Sequence, residues 1–221
     1  MKSETRSPKP EVRRALVCFA LKEEAQAISW KVWGDWGKGL ITGIGNSNAE
    51  KSVREFLAAN APRMIFTCGF AGGLNPELAI GDVIFETQDA ALGETLAAAG
   101  ARPGKFFCAT RVATTVLEKA ELRRTTGADA VEMESEIIHA ISRERGIPCA
   151  TVRAISDTAD EDLPLDFNQL SEPDQSLHYG KLALAIARAP GRIPGLLRLQ
   201  KHASFAARRL AEVLTKVVGP R

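Results

Sequence analysis

The 221-residue chain is predicted to fold as an α/β protein whose sheet carries helices on both faces. Two observations lead to this fold class. Short apolar runs of strand length alternate with segments of helical composition, and 45% of the residues are hydrophobic, enough for a substantial core in one domain. Because no window of roughly 18 or more apolar residues occurs, we expect no membrane span.

The first part of the chain is predicted to form a strand, a helix and a hairpin. Residues 15–20 are an apolar run suited to a buried strand, and the KEEAQAIS segment after them has helical composition. Residues 32–42 combine glycine and tryptophan as expected of a hairpin, and the following GIGNSN indicates a turn. Glu23 or Glu24 would lie at the strand-to-helix junction, where open α/β sheets bind ligands.

The middle of the chain continues this alternation. A helix is predicted from Asn48 to Asn60, and Pro62 marks its exit. The segments after it are predicted as a strand at 64–68, a glycine-rich turn at 69–73, a strand at 83–86, a helix at 89–100, a strand at 106–110 and a helix at 114–124.

The stretch from Val131 to Asp162 contains the main candidate site. It places Met133 and Glu134 at the start of a helix, then returns through an apolar strand to Ser156 and Asp157. A helix packed back on its own strand brings its two ends to the same side of a sheet. We therefore expect the two carboxylates to meet in one pocket.

Each of these carboxylates also has a purely structural interpretation. Asp157 could be a turn or N-cap aspartate, and Glu134 could complement the helix dipole in a first turn. The functional alternative is that a partly desolvated Asp157 holds a proton at neutral pH and acts as a general acid. The glycine segments 43–45 and 69–73 have the spacing of neither a dinucleotide fingerprint nor a P-loop, but glycine would allow close backbone approach to a ligand.

Composition limits the compartment and the site chemistry. Residues 1–14 are charged and lack a secretory apolar run, so we expect a disordered lead, a single domain at 15–221 and a cytoplasmic protein. The four cysteines lie apart in apolar runs, which favours buried reduced thiols on core strands: Cys18, Cys68, Cys108 and Cys149. The three histidines lack metal-ligand spacing, so no metal site is predicted.

A basic tail (about 177–218) is predicted to end the chain. Helices at about 177–189 and 195–218 follow a polar loop at 163–176, and nine basic residues from Lys181 onward accompany one acid. The second helix is amphipathic. Its apolar stripe could pack on the domain, which we favour because most such helices are surface helices, or the helix could contact an anionic membrane.

Five motifs in order resemble one enzyme superfamily. They are ALKEEA (20–25), TGIGNSNA (42–49), CGFAGGLNPELAIGDVI (68–84), AVEMES (130–135) and RAISDTAD (153–160). Together they resemble the purine nucleoside phosphorylases and methylthioadenosine/adenosylhomocysteine nucleosidases. The resemblance implies a three-layer α/β/α fold with a central mixed sheet, cleavage of a purine N-glycosidic bond without a cofactor, and a homodimer or larger homo-oligomer. It implies a small purine nucleoside as partner and no nucleic acid.

The resemblance also implies residue roles. Asp157 is similar to the acid that protonates or hydrogen-bonds purine N7, Glu134 to the glutamate that binds the ribose hydroxyls, and Glu24 to the carboxylate that orients the attacking water. Cleavage through a cationic sugar needs such an acid, a base and nearby negative charge. The positions similar to substrate-binding or supporting residues are Met133 at the ribose, Ser156 and Arg153 beside Asp157, Ala71 and Gly72 beside the nucleoside, and Val112 near the base.

One position departs from the phosphorolytic members, which hold phosphate with a serine in a GSxGG turn. Here Phe70 occupies that position, and phenylalanine cannot donate a hydrogen bond. Hydrolysis of an adenine nucleoside is therefore the predicted activity, with phosphorolysis and nucleoside binding without catalysis as alternatives. The C-terminal part resembles hopanoid-associated phosphorylase-like proteins, which adds adenine release from an adenosylated lipid as another alternative.

Overall fold

One mixed sheet of eight strands forms the centre of the computed structural model, which describes residues 15–170 and 189–219. The strands are β1 (Ala15–Phe19), β2 (Gly37–Ile41), β3 (Met64–Gly73), β4 (Val83–Thr87), β5 (Arg102–Pro103), β6 (Phe106–Cys108), β7 (Ala130–Glu132) and β8 (Cys149–Asp157). Their order is β2-β1-β3-β8-β4-β5, and β7 pairs with the end of β3 and with β6. Strand β4 runs antiparallel to β8, and β7 antiparallel to β3, whereas the other pairs are parallel.

Helices cover both faces of this sheet. They are α1 (Lys22–Ala25), α2 (Trp30–Trp33), α3 (Asn46–Ala59), α4 (Ala90–Ala99), α5 (Val116–Thr126), α6 (Ser135–Glu144), α7 (Phe167–Leu170) and α8 (Ile193–Val218). The residues of β1 alternate between the two faces. Leu16 and Cys18 pack with α3 and α6, whereas Val17 and Phe19 pack with the side of the sheet that α8 covers. The predicted three-layer α/β/α fold with a mixed sheet is confirmed.

Most predicted elements occur within a few residues of their expected bounds, but two predictions are wrong. The hairpin expected at 32–42 is instead α2 followed by β2, and β2 pairs in parallel with β1. The glycine-rich turn expected at 69–73 is the second half of the ten-residue strand β3, which continues along β8. These glycines therefore belong to a strand and not to a chain reversal.

The cysteines lie on strands, as predicted. Cys18 on β1 and Cys68 on β3 are buried, whereas Cys108 on β6 and Cys149 on β8 are partly buried, and all four are free thiols. Burial raises the pKa of the Cys149 thiol to about 12, so this side chain is protonated at neutral pH.

The two halves of α8 differ in burial. Its second half packs on the sheet through Leu210 and Leu214, which are fully buried, so the favoured packing interpretation is confirmed for this half. The first half leaves Ile193, Leu197 and Phe205 exposed at 41%, 54% and 41%. None of the helices in the described parts of the chain is long and apolar enough to cross a membrane. The lead predicted at 1–14 and the helix predicted at 177–189 lie outside the described residues, apart from residue 189.

Candidate active site

A cavity of about 200 Å³ lies at the end of the sheet where β1, β3 and β8 finish. All of the predicted site residues except Arg153 line it: Glu24, Phe70, Ala71, Gly72, Val112, Met133, Glu134, Ser156 and Asp157. Three carboxylates from distant parts of the chain therefore meet in one cavity. Glu24 and Asp157 meet because the adjacent parallel strands β1, β3 and β8 end on the same side of the sheet, and Glu134 comes from the turn after β7, which pairs with the end of β3.

Glu24 lies on α1, immediately after β1, and is only 4% exposed. Its two carboxylate oxygens accept hydrogen bonds from the backbone N–H groups of Leu21 and Phe70, both at 2.9 Å. Burial raises the pKa of Glu24 to about 7, with the nearby Arg153 acting in the opposite direction. A carboxyl group with this pKa can exchange a proton with water near neutral pH, as a general base requires.

The absence of a side chain at Gly69 leaves the space in which the Glu24 carboxylate contacts the sheet. A Cβ atom at this position would overlap the Glu24 carboxylate and would lie 2.6 Å from Nη1 of Arg153. Gly72 plays a similar part beside the acid, since a Cβ atom there would lie 3.1 Å from Oδ2 of Asp157. The glycines of β3 thus make room for the charged side chains of the cavity.

Glu132, Glu134 and Arg153 form a buried cluster on one side of the cavity, and we call it the arginine cluster. The Arg153 guanidinium is 1% exposed, and its Nη2 lies 2.6 Å from Glu132 and 3.1 Å from Glu134. Arg153 was expected beside Asp157, but its hydrogen bonds go to these glutamates and to Thr67 and the Cys68 carbonyl.

The pKa values of the two glutamates of the arginine cluster are shifted in opposite directions. Burial raises the pKa of Glu134, although Arg153 and the Gly45 N–H, at 2.9 Å, oppose this effect. Burial also acts on Glu132, but Arg153, the Ser135 hydroxyl and two backbone N–H groups outweigh it and lower the pKa of Glu132. Glu132 therefore balances the arginine charge, and both glutamates line the cavity.

Asp157 ends β8 on the other side of the cavity, and its two oxygens have different partners. Oδ1 accepts a hydrogen bond from the Ser156 hydroxyl at 2.8 Å, and Oδ2 lies 2.7 Å from the ammonium group of Lys119 on α5. We call Asp157, Ser156 and Lys119 the lysine cluster. Both Ser156 and Arg153 were predicted to lie beside Asp157, but of the two only Ser156 contacts it, and the cation beside Asp157 is Lys119.

Sequence reasoning missed both Glu132 and Lys119. Arg153 could have indicated Glu132 from the sequence. A cation inside an apolar strand needs a buried acid, and the AVEMES motif contains two glutamates. Lys119 had no such signal. Its segment, EKAELRR, has the charge pattern of a solvated helix face.

The wall near the expected base position is formed by the loop before α5. Val112 exchanges two hydrogen bonds with the Asn168 side chain, at 2.9 and 3.0 Å, which tie this loop to α7. Arg111 also lines the cavity and pairs with Glu118 at 2.6 Å. No group of three or more His, Cys, Asp or Glu side chains is arranged for metal binding within residues 15–170 and 189–219.

Comparison with known proteins agrees with this architecture. A family model described as the phosphorylase superfamily matches residues 87–188. The chain is 27% identical over 164 residues to a 5′-methylthioadenosine/S-adenosylhomocysteine nucleosidase of Glaesserella parasuis, covering 59% of this chain and 71% of that protein. It is 28% identical over 162 residues to an aminodeoxyfutalosine nucleosidase of Campylobacter jejuni, covering 57% and 69%.

Solved structures share the fold over almost the whole chain. A 5′-methylthioadenosine/S-adenosylhomocysteine nucleosidase of Helicobacter pylori has a TM-score of 0.70 at 15% identity, covering 93% of this chain and 97% of that one. The corresponding enzyme of Neisseria meningitidis, in complex with methylthio-immucillin-A, has a TM-score of 0.66 at 21% identity, covering 93% and 98%. The family-model match and the curated relatives thus make the chain similar to proteins of the phosphorylase superfamily, and the solved structures show that it shares their fold.

Proposed function

We propose that this protein hydrolyses the N-glycosidic bond of an adenine nucleoside and releases the free base. The observation that carries the proposal is the meeting of Asp157, Glu24 and Glu134 in one cavity. The curated relatives are nucleosidases by name, and they share about a quarter of their aligned residues with this chain.

The three carboxylates are suited to three roles in this reaction. Asp157 would donate a proton to N7 of the purine, so that the base leaves as a neutral molecule. Glu24 would take a proton from the attacking water, for which its pKa of about 7 is appropriate. Glu134 would bind the ribose hydroxyls and place negative charge near the cationic sugar of the transition state.

The remaining predicted residues shape the substrate site. Met133 lines the cavity next to Glu134 and would pack on the ribose. Ala71, Gly72 and Val112 form apolar walls against which a purine can lie.

Water is the better nucleophile for this cavity. Phe70 lines it in place of a phosphate-binding serine, and its backbone N–H is already bonded to Glu24. Arg111 is the one cation among the described residues that line the cavity, and it is paired with Glu118. A phosphate dianion would therefore meet several carboxylates and no free cation from these lining residues.

The proposal is tested by assaying free base release from adenosine, 5′-methylthioadenosine, adenosylhomocysteine and inosine, each with and without phosphate. We expect adenine release at a rate that phosphate changes less than about twofold, because water is the nucleophile. A strict phosphate requirement would replace hydrolysis with phosphorolysis. If no nucleoside yields free base under either condition, the protein does not have the proposed activity.

The exposed half of α8 favours a second candidate, in which the nucleoside carries a hydrophobic 5′ group at a membrane surface. Ile193, Leu197 and Phe205 are exposed there beside basic residues such as Arg208. Sedimentation with anionic vesicles tests it. We expect binding that is lost in Leu197→Glu and in neutral vesicles, and absence of binding to both vesicle types would exclude membrane contact.

We further propose a homodimer or larger homo-oligomer. Leu117 is 82% exposed on α5 beside an apolar groove of about 500 Å³ that Phe107, Ala109 and Leu122 line, and a second copy could cover this surface. Light scattering should give at least twice the chain mass, and Leu117→Glu should reduce it. A monomer at all concentrations would contradict this assembly.

A further inference from the structure

Lys119 is a fully buried lysine whose three N–H groups all have partners. Its side chain is 0% exposed. The ammonium donates to the carbonyls of Thr158 at 2.7 Å and Glu161 at 2.8 Å, and it lies 2.7 Å from Oδ2 of Asp157. Burying an ammonium group is costly unless every N–H is satisfied, and the mechanism above gives this lysine no role.

The three partners of Lys119 are not chemically equivalent. The carbonyl oxygens of Thr158 and Glu161 accept hydrogen bonds but cannot take up a proton at any ordinary pH. Oδ2 of Asp157 is a carboxylate oxygen, which can. Of the three partners, only Oδ2 of Asp157 can therefore accept a proton from the ammonium group, and Asp157 lines the cavity.

The protonation requirements of the reaction make such a proton source necessary. Glu24 must be ionised to accept a proton from water, and with a pKa of about 7 this favours activity at neutral pH and above. An ordinary aspartic acid has lost its proton at that pH. Purine N7 is an acceptor, so a fully ionised carboxylate at Asp157 would have nothing to donate to it.

We propose that Lys119 is a positioning residue that holds Asp157 in place and supplies it with the proton that reaches N7. This inference rests on the proposed nucleosidase activity. When purine binding displaces water, the Nζ–H bond of Lys119 breaks and the proton moves to Oδ2 of Asp157, leaving a neutral amine and a neutral carboxyl group. A low-dielectric site favours the exchange of a buried ion pair for two neutral groups.

Each proton transferred in the remaining steps has a donor and an acceptor. As the C1′–N9 bond breaks, its electron pair stays with the base and the Asp157 proton moves to N7. Water adds to C1′ and gives one proton to Glu24. After the products leave, Glu24 releases that proton to solvent, and solvent returns a proton through Asp157 to the Lys119 amine.

Among the described residues, charged groups surround this pair from the turn after β8, from the cavity and from α5, and Asp162 of this turn accepts the Val116 N–H of α5. The turn after β8 contributes the exposed Asp160, and the carboxylate of Glu161, which pairs with Arg198 and His202 of α8. On the cavity side the charged groups are Glu24, Glu132, Glu134, Arg111 and Arg153, and α5 itself also carries Glu118, Glu121, Arg123 and Arg124. Since Arg153 is bonded to Glu132 and Glu134, Lys119 is the cation in contact with Asp157.

The test compares the pH profile of kcat/KM for the wild type and Lys119→Met. The variant has a similar side-chain volume but no proton to give. We expect kcat to fall by about 10- to 100-fold at pH 8 with KM changed less than about threefold, and the alkaline limb to move at least about one pH unit lower. Lys105→Met is the matched control, because Lys105 also donates to a backbone carbonyl, that of Thr126, but is exposed.

A purely structural role would leave a different signature. If Lys119→Met lowers the rate by the same factor at every pH, or leaves it unchanged, the proton-supply role is wrong while the nucleosidase proposal stands. Introducing Lys119→Met into Asp157→Asn should change the residual rate less than about threefold, because the lysine acts through Asp157. A full further loss in that background would also contradict the proposal.

The wild type alone gives a test that does not depend on the folding of a variant. Its kcat/KM should rise through about pH 7 as Glu24 ionises and stay high to at least about pH 8.5. An alkaline limb that begins below pH 7 in an enzyme that does release adenine would overturn the role of Lys119. Absence of base release at every pH would instead overturn the proposed function.

Discussion

Arg153 contacts Glu132 and Glu134 on one side of the cavity, whereas Lys119 contacts Asp157 on the other. Both cations are almost completely buried, and both come from regular elements that the sheet brings together. The arginine cluster combines one guanidinium with two carboxylates, and the lysine cluster combines one ammonium with one. The two sides therefore differ in cation type and in charge balance.

This difference matches the different tasks proposed for the two sides. A guanidinium does not release its proton in proteins, so the arginine cluster can only hold charge in place, as ribose binding and transition-state stabilisation require. An ammonium group can lose its proton when it is buried, so the lysine cluster is able to take part in proton transfer. The choice between arginine and lysine thus separates binding from acid catalysis.

The largest effect is expected from Asp157→Asn in the lysine cluster. An amide of the same shape cannot donate the proton that N7 requires, so kcat should fall by about 10²- to 10⁴-fold with little change in KM. Steady-state adenine release measures this. Asp162→Asn is the control, since Asp162 is an exposed aspartate that accepts the Val116 N–H of α5, and an asparagine side chain keeps an oxygen that can accept this bond. Turnover within about tenfold of the wild type would remove Asp157 from the acid role.

The next largest effect is expected on stability, from Arg153→Met in the arginine cluster. Removing the guanidinium leaves buried carboxylates without a cation, which should cost about 3–5 kcal/mol of unfolding free energy at pH 8. The wild-type Glu132, whose pKa is lowered from 4.5, is still ionised at pH 5, but in the variant burial without a cation favours neutral carboxyl groups, so the cost shrinks as pH falls. The deficit of the variant should therefore be smaller at pH 5, as measured by urea unfolding.

The control for this change is Arg63→Met, which alters an exposed arginine and should change the unfolding free energy by less than about 0.5 kcal/mol. An equal deficit at pH 5 and pH 8 would mean that lost packing, and not unpaired charge, explains the effect of Arg153→Met. The arginine cluster would then have no electrostatic role in stability.

Glu24→Gln should have an intermediate effect and should separate activity from stability. The folded-state pKa of Glu24 is raised from 4.5 to about 7, so its neutral form fits the fold and stability is lost as pH rises through 7. The glutamine variant should match the wild type at pH 4 and be more stable at pH 8 by up to about 3 kcal/mol. Its hydrolysis rate should fall by about 10²-fold or more, because the base is missing.

Thermal melting at the two pH values measures the stability difference, and Glu23→Gln is the control because Glu23 is the exposed neighbour on the same helix. A glutamine variant that is less stable than the wild type at pH 8 would show that the Glu24 carboxylate is stabilised by its surroundings. That result would contradict its proposed readiness to accept a proton near neutral pH.

The sequence was sufficient for the fold where local pattern decides the structure. The apolar strands and amphipathic helices occur near their predicted bounds because burial of one face determines them. The sequence was insufficient where a residue far away in the chain determines the local structure. The Gly69–Gly73 segment continues as a strand because it pairs with β8, and its glycines leave space for Glu24 and Asp157; neither partner is visible locally. Likewise, the 32–42 segment pairs with β1 and not with itself.

The same division applies to the candidate site. The motif residues were placed at the correct strand ends because chain order and sheet topology bring these ends together. Glu132 follows from Arg153 by charge balance, but the contact between Lys119 and Asp157 joins α5 to β8 across the fold. No periodicity in the helix distinguishes this buried lysine from its solvated neighbours.

The smallest effects are expected from a pair of serines, one in each cluster. The Ser156 hydroxyl donates to Asp157 at 2.8 Å, and the Ser135 hydroxyl donates to Glu132 at 2.6 Å. Each alanine variant loses one hydrogen bond to a charged group, which corresponds to about 1.5–3 kcal/mol.

If the lysine cluster transfers protons, Ser156→Ala should lower kcat by about 10-fold. If the arginine cluster only holds charge, Ser135→Ala should lower the unfolding free energy and leave kcat within about threefold. Each serine thus serves as the control for the other, and adenine release with urea unfolding of both variants measures the contrast. Equal losses of kcat in the two variants would show that the clusters act as a single electrostatic unit, because the separation of binding from proton transfer requires the two serines to affect different quantities.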